Sequence, residues 1–387
     1  MRPRSSARPL RVLHGPWNLA GQQASLAAAE RRQGLDSWSV ALFENPPGFP
    51  PDEALALRGQ KIRVELARFR LLWRAIRWAD VIHFSFGQSF LVPSPFPSNL
   101  RREKWGHLHA PLLLYAKLLW YADLPLLKRL GKTLVVSWQG DDARQGDRSR
   151  ELFDTSIAKD VGSGYYTADS DVWKRRVIER FARYADRHYA LNPDLMHVLP
   201  EGTRFLPYAS FDPAGVTPRF PLVDAGQALR IAHAPTNRDA KGTRYVLEAV
   251  DRLRAEGASF EFDLIEKVDR SESLRRLAAA DIVVDQLLVG WYGGLGLEAM
   301  SLGKVVVAYI RDSDLRFLPS EFREALPVVV ANPDTVTDVL RGLLNGPRHA
   351  LHDIGVSSRR FAEGFHSPDR IAASTAADYR RLSTKTA

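Results

Sequence analysis

Apolar positions along this chain fall into two alternating patterns. Short, nearly continuous runs such as LRVLH (10–14), DSWSVALF (36–43), ADVIHFSF (79–86), GKTLVVSW (131–138) and LRIAHA (229–234) are separated by longer stretches with helical periodicity. Unbroken Val/Ile/Leu runs divided by amphipathic helices predict parallel strands covered on both faces. The alternation continues through FEFDLIE (260–266), SESLRRLAAADI (271–282) and LPVVVAN (326–332), and the chain past Pro333 reads as mostly helical. Ser367 and Pro368 form a good start for a last helix.

The stretch 280–310, ADIVVDQLLVGWYGGLGLEAMSLGKVVVAYI, organises the second half. Its pattern predicts a strand over IVVDQLLV, a loop with Gly290, Gly293, Gly294 and Gly296, a helix over LEAMSL, and a further strand over VVVAYI. Parallel sheets bind ligands beyond the carboxyl ends of their strands, where this loop falls. Glycines there permit close backbone approach, and a helix N-terminus favours an anion such as a diphosphate. Glu298, just inside the helix, suits a sugar diol or merely the helix dipole. A second such loop follows LRIAHA, where Asn237, Arg238, Lys241 and Gly242 place two cations and a glycine at a helix start. Both loops are expected to open on the same sheet edge, with one diphosphate between them.

In the first half, Gly15 and Gly21 bracket the turn after the first strand. Their spacing is not the dinucleotide fingerprint, and no acidic residue closes the next strand, so NAD binding is not expected. The helix over about 61–78 carries Ile62, Leu66, Phe69, Trp73 and Ile76 at alternating spacings of four and three, which predicts that this stripe is its buried face. A helix over 171–186 is expected with Asp171 as N-cap and Val172, Val177, Ile178 and Phe181 as its apolar set. The loop WQGDDARQGD gathers Gln139, Asp141, Asp142 and Arg144 at a strand's carboxyl end, a place for a substrate. No further oxygen ligands stand at a recognisable spacing, so a metal is not expected there. The proline-rich, aperiodic segment 207–228 reads as a linker.

Composition narrows the classes. The chain has 387 residues, enough for two cores, and no cysteine, which excludes disulfides and thiolate metal sites. A formal net charge of +9 suits an anionic ligand or surface without choosing among them, and no nucleic-acid module signature is present. The basic start lacks the apolar core of a secretory signal, and APLLLYAKLLWYADLPLL is too interrupted to span a bilayer. That stretch reads as a core helix and its turn. Its other reading, with Trp105, Trp120, Tyr121 and the Arg-rich helix, is weak peripheral contact with an anionic membrane.

HAPTNRDAKGT, followed by ADIVVDQLLVGWYGGLGLEAMSLGKVVV, resembles the donor half of the family 4 retaining glycosyltransferases. The glycine turn after the first strand, ADVIHF and WQGDD extend the likeness to the first half. The resemblance implies an α/β protein of GT-B architecture: an acceptor domain over 1–206, a linker over 207–228, a nucleotide-sugar domain over 229–366, and a helix over 367–387 crossing back to the first domain. It implies that Arg238 and Lys241 hold the donor diphosphate, that Glu298 binds the ribose, and that Asn237, Gly242 and the backbone of Gly293, Gly294, Leu295 and Gly296 complete the donor site. It sets Gly15, Asn18, Gly21, Gln139, Asp141 and Asp142 on the acceptor or sugar side. The nucleotide sugar is a co-substrate, no cofactor or metal is required, and the acceptor is a carbohydrate or lipid-linked group. A cytoplasmic enzyme, peripheral to the inner membrane face at most, is the expected setting. Two positions depart from the family. Gly290 stands where the first of two glutamates eight residues apart is usual, and Gln139 replaces a histidine. They motivate another reading, a nucleotide-sugar-binding scaffold without turnover. A nucleotide-sugar epimerase of the same architecture is a separate alternative that would need acid/base carboxylates and histidines in the cleft.

Overall fold

The computed structural model describes residues 8–43, 50–55, 60–92, 109–223 and 226–384; the basic tail at 1–7, the stretch 44–49, Trp105 and the last three residues lie outside them. Its strands form two sheets, and all their pairings are parallel. The first contains β1 (Arg11–His14), β2 (Asp36–Ala41), β3 (Glu53–Ala54), β4 (Val81–Ser85), β5 (Thr133–Trp138), β6 (Arg187–Ala190) and β7 (Arg204–Phe205), in the order β3-β2-β1-β4-β5-β6-β7. The second contains β8 (Leu229–His233), β9 (Phe260–Leu264), β10 (Ile282–Val284), β11 (Val305–Ala308) and β12 (Val329–Val330), in the order β12-β11-β10-β8-β9. Every residue of β4 and β5 is buried, as the unbroken apolar runs require. Strand order reverses between β1 and β4 in one sheet and between β8 and β10 in the other. At such switch points the connections leave in opposite directions and open a crevice.

The longer helices of the first half are α1 (Gln22–Arg32), α2 (Lys61–Trp78), α3 (His109–Leu119), α4 (Asp123–Arg129) and α5 (Ala168–Tyr184). Those of the second are α6 (Thr243–Ala255), α7 (Arg270–Ala279), α8 (Gly294–Ser301), α9 (Val336–Asn345) and α10 (Arg348–Phe365). The last helix, α11 (Pro368–Ser383), lies against α1, where Ile371, Ala372, Ala376 and Tyr379 share a core with Val12, Leu26, Ala29 and Val81. Buried polar groups fix its register. Tyr379 Oη is 2.6 Å from His83 Nδ1, Tyr189 Oη donates to Asp378 at 2.7 Å, and Thr375 Oγ1 donates to Glu30 at 3.1 Å. Burial and the neighbouring His14 hold the His83 pKa well below its ordinary value, so the ring is neutral here.

Three expectations are corrected. Four of the five residues in the α2 stripe expected to be buried face outward, Ile62 being 79 % exposed, Leu66 66 %, Phe69 42 % and Trp73 62 %, while Ile76 packs partly buried against the core. The helix instead buries Val64, Ala67, Leu71, Leu72 and Ala75, whose small alanines let it sit close to its neighbours. The N-cap of α5 is Thr167, in a capping box with Ser170, while Asp171 accepts from the backbone N–H groups of Gly146 and Asp147 at 2.9 and 3.0 Å. The set expected for that helix buries Val177, Ile178 and Phe181, but Val172 is exposed. Finally, the run 282–289 is a strand only over Ile282–Val284; from Asp285 it continues as a buried loop.

The aliphatic stretch after residue 108 divides. Tyr121, Leu124 and Leu127 are core, whereas Leu114 and Leu118 on α3 are 58 % and 67 % exposed. No described helix is long and apolar enough to cross a membrane.

Candidate active site in the cleft between the two sheets

At the switch point of the second sheet, a helical turn at Arg238–Lys241 follows β8. Asn237 caps it, its Oδ1 accepting from Ala240 N at 3.0 Å, and Gly242 (φ 72°) ends it in the left-handed region. The turn brings the ammonium of Lys241 over the loop after β10, where it donates to Asp285 Oδ1 at 3.2 Å and to Gln286 Oε1 at 2.5 Å. Asp285 is fully buried, and its Oδ2 accepts from Gly293 N at 2.5 Å. One carboxylate thus ties both loops together. The glycines make room for it: a Cβ on Gly293 would stand 2.9 Å from Lys241 Nζ, and one on Gly296 would stand 2.9 Å from Asp285 Oδ2. At the head of α8 the N–H groups of Gly294, Leu295 and Gly296 precede the first intrahelical bond, from Leu297 N to Gly293 O at 3.2 Å. Beneath, burial lowers the His233 pKa to about 4, and its Nδ1 donates to Val284 O at 2.8 Å.

The facing wall comes from the loop after β5, where the two acids have different duties. Asp142 accepts from Gln139 N at 3.0 Å and Gly140 N at 2.7 Å, shaping the loop; burial pushes its pKa up to about 7 despite these donors. Asp141 accepts from Arg144 Nη1 at 3.0 Å and from the hydroxyls of Tyr165 and Tyr166 at 2.6 and 2.5 Å. Burial alone would raise the Asp141 pKa, but the Arg144 charge and both hydroxyls outweigh it and hold the carboxylate below its ordinary value. The Arg144 guanidinium is itself buried and donates through Nε to Asp194 at 2.7 Å. Asn192 donates to Gln139 O at 2.6 Å and accepts from Tyr208 Oη, which anchors the loop to the chain leaving the first sheet.

Between these walls lies a cavity of about 370 Å³. The second half lines it with Thr236, Lys241, Gln286, Gly293 and Gly294, and the first with Gln139, Asp141, Arg144, Asn192 and Phe86. Leu19, Ala20 and Gln22 close it from the turn after β1. Gly15, Asn18 and Gly21 are buried in that turn, Asn18 Oδ1 accepting from Ala24 N at 3.0 Å. Ala20 (φ 50°) and Phe86 (φ 56°) hold left-handed conformations at the cavity edge, which non-glycine residues adopt when their surroundings impose it.

The structure therefore gathers Lys241, Gly293, Gly294, Gln139 and Asp141 around one space. Arg238 points elsewhere, paired with Glu266 through Nε at 2.7 Å, beside a separate cavity of about 160 Å³. Glu298 lies one turn into α8, paired with Arg270 at 2.9 Å; burial raises its pKa against that cation. Asp285, Gln286 and Tyr208 had no part in the sequence expectation. The signal for the first two was a polar doublet inside an apolar run.

Gly290 (φ 87°) has a physical account. A Cβ there would stand 2.6 Å from the guanidinium carbon of Arg311. That guanidinium donates to Asp314 at 2.7 Å and to Thr155 O at 3.1 Å, and it stacks 3.6 Å over the ring of Phe153. The space open to a longer side chain at position 290 is occupied by a cation that bridges the two halves.

Two facing Rossmann-like domains with a cleft at both switch points define the GT-B architecture. No family model and no curated protein sequence matches the chain. Among solved structures it is similar to a sucrose-phosphate synthase from Thermosynechococcus elongatus, with 13 % identity over 98 % of this chain and 100 % of that one, at a TM-score of 0.58. HepE from Anabaena, solved with UDP-glucose, has 12 % identity over 96 % and 100 % at 0.56. A putative UDP-N-acetylglucosamine 2-epimerase from Listeria monocytogenes has 14 % identity over 96 % and 97 % at 0.50. Identities this low establish a shared fold.

Proposed function

We propose that the protein is a glycosyltransferase that moves a hexose-type sugar from a nucleoside-diphosphate sugar to an acceptor, with retention of anomeric configuration. The observation that carries this reading is the single cavity in which Lys241 and the head of α8 face the Gln139–Arg144 loop. Breaking the anomeric bond leaves negative charge on the departing diphosphate. A cation and helix N–H groups held in place beforehand stabilise that charge more in the transition state than in the ground state. The Asp285 carboxylate supplies the prior hold, since it fixes both Lys241 and Gly293. In this reading residues 229–366 bind the donor, residues 1–206 bind a carbohydrate or lipid-linked acceptor, and 207–228 joins them.

Arg238 joins the diphosphate site by leaving Glu266, an exposed pair whose loss is of little consequence. Glu298 reaches the ribose with its charge balanced by Arg270. Gln139 and Asp141 contact the transferred sugar or the acceptor hydroxyl, and no protein nucleophile is assigned. The UDP-glucose in HepE supports a nucleotide-sugar donor, and retention rests on the likeness of the 233–307 motifs to family 4. The epimerase reading draws on the Listeria structure, and a binding-only scaffold on Gly290 and Gln139.

Calorimetric titration of the full chain with UDP, GDP, ADP and dTDP, repeated on Lys241→Ala, tests the reading. One diphosphate is expected to bind and to weaken by about tenfold or more in the variant, the scale of a lost charge-assisted hydrogen bond. Binding of none of the four refutes it. Conversion of a matching donor to an isomer without acceptor would favour the epimerase, and binding with neither transfer nor isomerisation the scaffold.

A further inference from the structure

The outward face of α2 carries four large exposed apolar residues, and nothing in the catalytic reading uses it. Ile62, Leu66, Phe69 and Trp73 recur at spacings of four, three and four and form a stripe along one side of the helix, roughly 16 Å long at the usual rise per residue. On α3, which meets α2 through the bond from Tyr115 Oη to Glu65 Oε2 at 2.6 Å, Leu114, Tyr115 and Leu118 extend the same exposed apolar surface. Single exposed apolar side chains are ordinary, but seven large ones on two touching helices form a patch of the kind that marks an interaction site.

Charge around the patch decides the partner. Arg63, Arg70 and Arg77 are exposed along one flank of the stripe, at helical angles that put them side by side. Arg77 lies 5.5 Å from the ring centre of Trp73. The acid at the other flank, Glu65, is compensated by Arg68 at 2.9 Å. Arg74 is engaged with Glu53 at 2.6 Å. An apolar stripe containing Trp and Phe, edged by exposed arginines on one flank and by an acid paired with Arg68 on the other, matches an anionic bilayer surface: the rings enter the acyl boundary while the guanidinium groups stay at the headgroup phosphates. From this we infer that α2 and α3 form a membrane-docking surface for anionic lipid. Docking there would hold the first half, where the acceptor is proposed to bind, at the bilayer. The inference stands on the surface alone and does not depend on the donor reading.

Vesicle co-sedimentation of the full chain tests it, using phosphatidylcholine vesicles with and without phosphatidylglycerol. Binding to the anionic vesicles is expected, weakening as salt is raised, with little to phosphatidylcholine alone. Leu66→Glu with Trp73→Glu is expected to reduce binding by about tenfold or more, since it carries charge to the acyl boundary. Arg70→Gln with Arg77→Gln is expected to reduce it by about fivefold per arginine. Both pairs alter exposed positions, so unchanged thermal melts confirm that the variants fold. Failure of the wild-type chain to bind anionic vesicles, or equal binding by the Glu variant, overturns the inference. So does a wild-type dimer in sedimentation velocity that the Glu variant makes monomeric, which would assign the patch to a second copy of the chain.

Discussion

The two walls of the cleft solve the same problem with opposite charges. On the wall built from the second sheet, a cation, Lys241, is held in place by a buried acid, Asp285. On the wall built from the first, an acid, Asp141, is held by a buried cation, Arg144. Each exposed-end charge is aimed by a partner that solvent does not reach, so neither has to be reorganised when a ligand enters. In the proposed reading, the difference in sign divides the cavity into a side for the departing diphosphate and a side for hydroxyl groups. It also divides the consequences of mutation, because the first-sheet cation is the more deeply buried of the two.

The largest effect is expected from Arg144→Met. It removes the cation between Asp141 and Asp194 and leaves a buried carboxylate uncompensated, at a cost of about 3–5 kcal/mol measurable by chemical denaturation. A loss below about 1 kcal/mol would show that the pair behaves as a surface one. Next comes Gly293→Ala, whose new Cβ would meet Lys241 Nζ at 2.9 Å. The ammonium is at the end of a flexible side chain and swings aside, so stability changes little while diphosphate affinity falls about as far as in Lys241→Ala, roughly tenfold. Unaltered affinity in the alanine variant would mean that the ammonium is not held where the diphosphate binds.

Asp142 gives a smaller, pH-dependent contrast. Its folded pKa, pushed up to about 7, lies above its ordinary value of 3.8. Its proton therefore stabilises the fold fully below the ordinary value, and that contribution is lost as pH rises through about 7. In Asp142→Asn the oxygen that accepts from Gln139 N and Gly140 N remains and the titration does not. Thermal melts of wild type and variant should diverge progressively between weakly acidic and weakly alkaline pH, with the variant gaining on the wild type. Parallel melting curves across that range would sink the account. The smallest stability effect belongs to Arg238→Ala, whose ion pair with Glu266 is exposed. Its melting temperature should match the wild type, and only a fall in diphosphate affinity would bring Arg238 into the donor site.

Much of this architecture was legible in the chain. The unbroken apolar runs located β4, β5, β8 and β11, because strands buried on both faces leave no polar alternation to misread. Asn237, Arg238, Lys241 and Gly242 were legible as a polar, glycine-bearing segment after a strand, whereas the capping of the short turn by Asn237 and its end at Gly242 came from the backbone geometry. The face of α2 was misread for the opposite reason. Its periodicity is present in two stripes, and choosing between them needs to know what packs against the helix; small alanines against the neighbouring elements prevailed over larger residues that periodicity alone favours. The cap of α5 was misplaced by one turn because Asp171 serves a distant backbone, Gly146 and Asp147, a partner no local pattern announces.

By itself, the sequence determined two parallel sheets, the loops at their carboxyl ends, and the cation and glycines those loops carry, since these follow from hydrophobic period and turn chemistry within a few residues. The tertiary structure decided which charges meet. Asp285 reaches Lys241 across forty-four positions and Asp194 reaches Arg144 across fifty, while Arg311 fills the space beside Gly290. Contacts of that range depend on strand order and on the packing of one half against the other, and no window of sequence contains both partners.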